Sequence, residues 1–67
     1  MSKMTLTEFN ILTFEDKYKT ALDRSVFLYN NSSEGEKYEC YSFTTFTVEI
    51  VFDDKNEIIE FRSFSDI

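Results

Sequence analysis

The sequence predicts an α+β fold in which an N-terminal helical segment packs on one face of a four-stranded antiparallel β-meander. The apolar residues recur with helical spacing as far as Asp23, and after Ser25 they alternate with polar residues while β-branched and aromatic types take over. The segments between the predicted strands are short, which makes consecutive strands antiparallel neighbours. With 67 residues, we expect one small domain over residues 1–67.

The helical segment carries two start signals. Thr5 precedes Glu8 by three residues, a capping-box pattern that predicts a short helical turn. Thr13, followed by Glu15 and Asp16, predicts a second helix start, because acids in the first turn complement the helix dipole. An apolar stripe then predicts a helix over residues 14–23 that covers the sheet, formed by Phe14, Tyr18, Ala21 and Leu22.

The alternating region divides into four predicted strands, at residues 26–30, 37–43, 46–53 and 57–64. The first turn is predicted at residues 31–35, which include the single glycine, Gly35. Thr44 and Thr45 form the second turn with poor turn chemistry, and residues 53–56 form a good third turn because Asn56 tolerates a positive φ.

Loop lengths predict the strand register. A two-residue loop at Thr44 and Thr45 sets Tyr41 opposite Val48, and a four-residue loop at 53–56 sets Ile50 opposite Ile59. One face then becomes the core face, with Tyr41, Phe43, Phe46, Val48, Ile50, Phe52, Ile59 and Phe61. The opposite face, which we call the outer face, points away from the helices.

The strand pattern resembles that of a group of short bacterial proteins with a helical start and an antiparallel meander. The residues that carry the resemblance are Val26-Phe27-Leu28, Tyr41, Phe46, Val48-Glu49-Ile50, Asn56-Glu57-Ile58 and Arg62-Ser63-Phe64. The resemblance implies the same fold and brings no assigned activity.

Composition argues against several classes of function. The chain has no histidine and one cysteine, Cys40, so the usual catalytic bases, zinc sites and internal disulfides are disfavoured. We therefore predict no enzyme activity, no cofactor and no metal site. The net charge of −6 disfavours direct nucleic-acid binding. No apolar stretch is long enough for a membrane span and no secretion signal is evident, so we expect a cytoplasmic protein that does not bind a membrane.

The charge is unevenly distributed. The first 33 residues hold four acids and four bases, whereas residues 34–67 hold nine acids and three bases, which is the whole net charge. In the predicted register Glu49 lies opposite Glu60, with Arg62 in the same region, while Val51 and Ile58 pair as an apolar centre. An apolar centre with a polar rim is typical of an interface. The predicted partner-binding residues are Tyr38, Thr47, Glu49, Val51, Ile58, Glu60 and Arg62.

The leading hypothesis is a small cytoplasmic protein-binding or regulatory module that acts through the acidic outer face or an edge strand. One alternative is an acidic mimic of nucleic acid that blocks a basic enzyme surface, which predicts binding that weakens steeply with salt. A second alternative is a homodimeric structural protein whose outer face is the dimer contact. The outer face could also be a plain solvated surface on which Arg62 bridges the acids.

Overall fold

The fold is an N-terminal helical segment followed by one antiparallel sheet, which confirms the predicted α+β class. The computed structural model describes residues 4–65. It contains two helices, α1 (Leu6–Asn10) and α2 (Phe14–Arg24), and four strands, β1 (Val26–Ser33), β2 (Glu36–Ser42), β3 (Phe46–Phe52) and β4 (Ile58–Ser65). The strands lie in the order β1-β2-β3-β4, the order of a meander.

Both helices begin where the capping signals predict. Thr5 Oγ1 accepts a hydrogen bond from the Glu8 backbone N–H at 3.1 Å, and the Glu8 carboxylate accepts from the Thr5 N–H at 2.9 Å. Thr13 Oγ1 caps α2 by accepting from the Asp16 N–H at 3.1 Å. These contacts satisfy N–H groups that have no partner within the first helical turn.

The register between β2 and β3 is the predicted one, with Tyr41 opposite Val48. The Phe43 N–H donates to the Phe46 carbonyl at 2.8 Å, and the two rings stack with centroids 4.6 Å apart. Thr44 and Thr45 make this turn without a positive φ. We attribute the stability of this poor turn sequence to the stacked rings on either side of it.

The first turn is shorter than the sequence predicts. Strand β1 continues to Ser33, and the turn is Glu34-Gly35 alone, with φ values of 52° and 82°. Two consecutive residues of positive φ are the requirement of a type I′ hairpin turn, whose twist matches that of the strands it joins. The predicted turn at residues 31–35 is therefore wrong in its first three residues, which belong to β1.

The predicted register between β3 and β4 is also wrong. Asp53 Oδ1 accepts from the N–H groups of both Lys55 and Glu57, and the connecting loop spans residues 53–57, one residue more than predicted. This longer loop shifts the register by one residue, so that Phe52 pairs with Ile58. A bulge at position 59 adds a second one-residue shift, after which Ile50 faces Phe61. Two successive shifts restore the alternation, so Phe61 keeps the face that the sequence predicts.

The core lies between the helices and one face of the sheet. Phe9 of α1 is fully buried at its centre, with its ring 5.4 Å from Phe43, 5.8 Å from Phe46 and 6.2 Å from Phe61. Ile58 packs against this cluster, whereas Ile59, which was predicted in it, is exposed. The cluster of buried residues is Phe9, Ala21, Tyr41, Phe43, Phe46, Val48, Ile50 and Phe52.

Candidate partner-binding surface

The structure brings together six of the seven predicted partner-binding residues. Strand pairing gives the outer face three rows, each crossing from β2 through β3 to β4. These rows are Tyr38-Val51-Glu60, Cys40-Glu49-Arg62 and Ser42-Thr47-Phe64. Ile58 is not on this face, because it pairs with Phe52 and packs against the core. The prediction that Ile58 and Val51 form one apolar centre is therefore wrong.

Arg62 pairs with two acidic residues of the outer face, Glu49 and Glu60. Glu49 lies opposite Arg62 rather than Glu60, and Arg62 Nη1 is 3.2 Å from the Glu49 carboxylate. Arg62 Nε is 3.3 Å from the Glu60 carboxylate. Both contacts raise the pKa of the Arg62 guanidinium, and the contact with Glu60 has the larger effect. The expected like-charge opposition is absent because the two register shifts move Glu60 opposite Val51. Arg62 bridges the two acids, as the solvated-face alternative describes.

The centre of the outer face is closed. Val51 is only 1% exposed although it lies on the side away from the helices. Its cross-strand neighbours are Tyr38 and Glu60, and the Arg62 guanidinium lies 6.0 Å from the Tyr38 ring centroid, within cation–π range. Thr47, two rows away from Val51, is half-buried. A partner could contact the rim of this face, but the apolar side chain at its centre is already covered.

Two tyrosines close the same face toward β1. The Tyr38 hydroxyl donates to Glu36 at 2.7 Å, and this hydrogen bond is the main cause that raises the Tyr38 pKa. The pKa of Tyr29 is raised chiefly by its hydrogen bond with the Cys40 side chain. Cys40 itself is a buried free thiol. On the outer face, Cys40 and Val51 are therefore buried, whereas Tyr29 and Phe64 are about half exposed.

Ile58 instead lines a groove on the helix side. Phe14 and Tyr18 of α2 form one wall, Phe52 and Ile58 form the other, and Glu15, Lys19, Asn56 and Glu57 complete the rim of a space of about 460 Å³. Lys19 is 3.1 Å from the Glu15 carboxylate, so these two rim charges are paired. The groove is a shallow feature of the core boundary.

Of the nine large apolar residues that are exposed within residues 4–65, four lie on β1, which the sequence analysis did not single out. Every residue of β1 is exposed, and residues 26–29 form an uninterrupted apolar run whose side chains are 49–66% exposed. We call this run, Val26, Phe27, Leu28 and Tyr29, the β1 patch. Leu22 of α2, an element in contact with β1, is likewise more than half exposed. The sequence does carry a signal, because four consecutive large apolar residues in a strand cannot all face one core.

The two edges of the sheet differ in charge. Strand β4 carries Glu60 and Arg62, whereas β1 has no charged residue along its eight positions. Charged side chains are a common device that prevents a sheet edge from pairing with another strand. A bulge at Leu28, between Phe27 and Tyr29, is the protective irregularity that β1 does have. The β1 edge is therefore the less protected of the two edges.

No family model matches this sequence, and neither a curated protein nor a solved structure shows significant similarity to it. The resemblance to short bacterial proteins therefore stays a prediction. Within residues 4–65, none of the helices has the length and apolar character that crossing a membrane requires. The same residues contain no cluster of three acidic or cysteine side chains arranged for a metal ion.

Proposed function

We propose that this protein is a small protein-binding module, without catalytic activity, that binds an extended segment of another protein along strand β1. The observation that carries the proposal is the exposure of all eight residues of an uncharged edge strand that includes the β1 patch. Exposed apolar patches on small proteins are typical of interaction sites. The outer face supports the proposal less well, because Val51 is covered and Arg62 is engaged by both acids.

The binding mode that fits this edge is strand addition. A sheet edge offers a row of unpaired backbone N–H and C=O groups, and an incoming strand gains affinity from hydrogen bonds to them. Specificity would come from alternating side chains: Tyr29 lies on the outer face beside Cys40, whereas the Phe27 ring is 5.4 Å from Tyr41 on the helix side. The preferred partner segment is extended and apolar, with few charges.

The remaining negative charge has a secondary role in this proposal. With a net charge of −6, the protein would attract partners with a basic surface and accelerate their encounter, an effect that salt weakens. The nucleic-acid-mimic alternative receives less support, because two acids of the outer face are already paired with Arg62. We also propose a cytoplasmic location, which agrees with a chain whose one cysteine is a free thiol.

A matched pair of variants tests the proposal. Leu28 and Ile59 occupy bulges in the two edge strands and are 49% and 46% exposed. Leu28→Lys and Ile59→Lys therefore make the same chemical change at equally exposed sites, one inside the β1 patch and one outside it. The immobilised wild-type protein and each variant are used to capture partners from an extract of the native host, with identification by mass spectrometry.

The proposal predicts that the wild-type protein and Ile59→Lys capture the same partner, and that Leu28→Lys loses it while keeping its circular dichroism spectrum. Capture that is equal for all three proteins would overturn the assignment to β1. Capture that is lost with Ile59→Lys and kept with Leu28→Lys would place the binding surface at β4 instead.

A further inference from the structure

We propose that the strand that pairs with β1 is the β1 strand of a second copy of this chain, joined antiparallel about a two-fold axis. This inference rests on the proposed function for the edge and for the strand-addition mode, and it puts a second copy of this chain in the place of another protein. The result would be a continuous eight-stranded sheet in which the two β1 patches lie in contact. Three features of the described residues carry it: the charge along β1, the apolar area at its edge and the closure of the assembly.

The absence of charged residues along β1 favours this strand as the contact between two copies of the chain. Each chain carries −6, so two copies repel wherever acidic segments meet, but residues 25–33 contain no charge. The nearest charged residues are Arg24 at one end of this stretch and Glu34 at the other. Antiparallel pairing brings the Arg24 end of one chain beside the Glu34 end of its partner, whereas parallel pairing would align like charges. Charge complementarity therefore favours the antiparallel two-fold arrangement.

The apolar area is close to what a weak dimer needs. About half of each residue in the β1 patch is exposed, as is Leu22 of α2, the helix that directly precedes β1 in the chain. At the size of such side chains this is roughly 500 Å² per chain. The polar part of β1, residues 30–33, adds enough to bring the total for two chains to about 1,200 Å², the lower end for specific interfaces. Buried area does not by itself set an affinity, but interfaces at this lower end of size are typical of weak complexes, so we expect a dimer that dissociates at micromolar concentrations.

The proposed contact limits the assembly to two copies of the chain. An isologous contact uses the same edge of both chains, so the free edges of the dimer are the two β4 strands. Both of those edges carry Glu60 and Arg62, which discourage further strand addition. The bulge at Leu28 also bends and twists β1, which disfavours the flat stacking that fibres require. The expected species is a closed dimer.

The test is the molar mass of the full chain by light scattering and sedimentation equilibrium, from about 1 to about 300 μM, a range that brackets micromolar affinity. We expect the mass to double across this range. Leu28→Lys should raise the dissociation constant at least tenfold, whereas Ile59→Lys should leave it unchanged. Both variants lower the net negative charge by one, so a difference between them reflects the site of the lysine and not the overall repulsion.

The outcomes separate this inference from the proposed function. A monomer at every concentration, together with capture of another protein that depends on Leu28, would overturn the self-pairing and leave the proposed function intact. A dimer that is disrupted equally by both variants, or by neither, would also overturn the self-pairing along β1. A dimer disrupted by Leu28→Lys alone supports the inference, even where no other protein is captured.

Discussion

Replacing Val51 with lysine tests whether the outer face is closed. Val51 is 1% exposed, so Val51→Lys removes the burial of a valine side chain, which is worth about 1.5–3 kcal/mol. The lysine charge adds a desolvation cost of a few kcal/mol, part of which Glu49 or Glu60 could offset by pairing with the ammonium group. We therefore expect a loss of at least about 3 kcal/mol. A core of this size rarely supplies more than roughly 3–5 kcal/mol, so Val51→Lys should remove most of the stability of the fold.

Urea unfolding followed by circular dichroism measures this loss, with Ile59→Lys as the control. Because Ile59 is 46% exposed at a bulge, its replacement should cost about 1 kcal/mol or less. If Val51→Lys unfolded at the same urea concentration as the wild-type protein, Val51 would be accessible. The closed centre of the outer face would then be refuted, and an open apolar centre on that face would again be the better binding surface.

Three further substitutions probe the fold. Phe9→Ala should lower the free energy of unfolding by about 3–5 kcal/mol, because removal of a fully buried ring leaves a cavity. A variant with the same thermal melting temperature as the wild-type protein would argue against the central role of Phe9. Gly35→Ala should lower the free energy of unfolding by about 1–2 kcal/mol, because Gly35 has φ +82°, which alanine adopts only with strain. No atom lies within 4 Å of an added Cβ, so this cost comes from the backbone and not from a clash. An unchanged urea midpoint would argue against the type I′ turn. Burial and then the hydrogen bond to Glu39 raise the pKa of Tyr41 above its ordinary value of 10.0. Above pH 10.0 the folded state therefore keeps a proton that the unfolded state loses, so the contribution of Tyr41 to stability is constant below pH 10.0 and falls as the pH rises above it. Tyr41→Phe should reduce the loss of stability above pH 10.0. If the free energy of unfolding had the same pH dependence in both proteins, Tyr41 would not be its cause.

The sequence predicts the parts of the fold that depend on local signals. The caps at Thr5 and Thr13 are read from side chains a few residues apart, and both are present. The pairing of Tyr41 with Val48 follows from a two-residue loop that leaves no choice of register. In each case one short stretch of sequence contains all the groups that make the contact.

The β3–β4 pairing could not be predicted in the same way. The loop over residues 53–57 and the bulge at Ile59 each shift the register by one residue, and each alone would place Glu60 or Arg62 in the core. Only together do they restore the alternation and bring Arg62 opposite Glu49. Considered alone, each shift looks unfavourable because it buries a charged residue. The favourable pairing appears only when both shifts are considered together.

The candidate surface differs from its prediction for a related reason. Sequence alternation indicates which residues share a face, and it places Tyr38, Val51 and Arg62 together, but it does not indicate that these side chains cover one another. Phe9 was likewise missed, although its position four residues after the Thr5 cap, with Met4 before it, is the pattern of a hydrophobic staple. Burial depends on contacts between distant segments, and the linear pattern does not contain them.

Amide hydrogen exchange, resolved by residue, tests most directly the claim that β1 is an open edge to which another strand is added. In dilute protein, the outward N–H groups of β1 should exchange quickly, whereas those of β3, bonded on both sides, should be the most protected. On concentration toward the dimer, protection should rise in β1 and not in β4. Equal protection of β1 and β3 at every concentration would contradict the account.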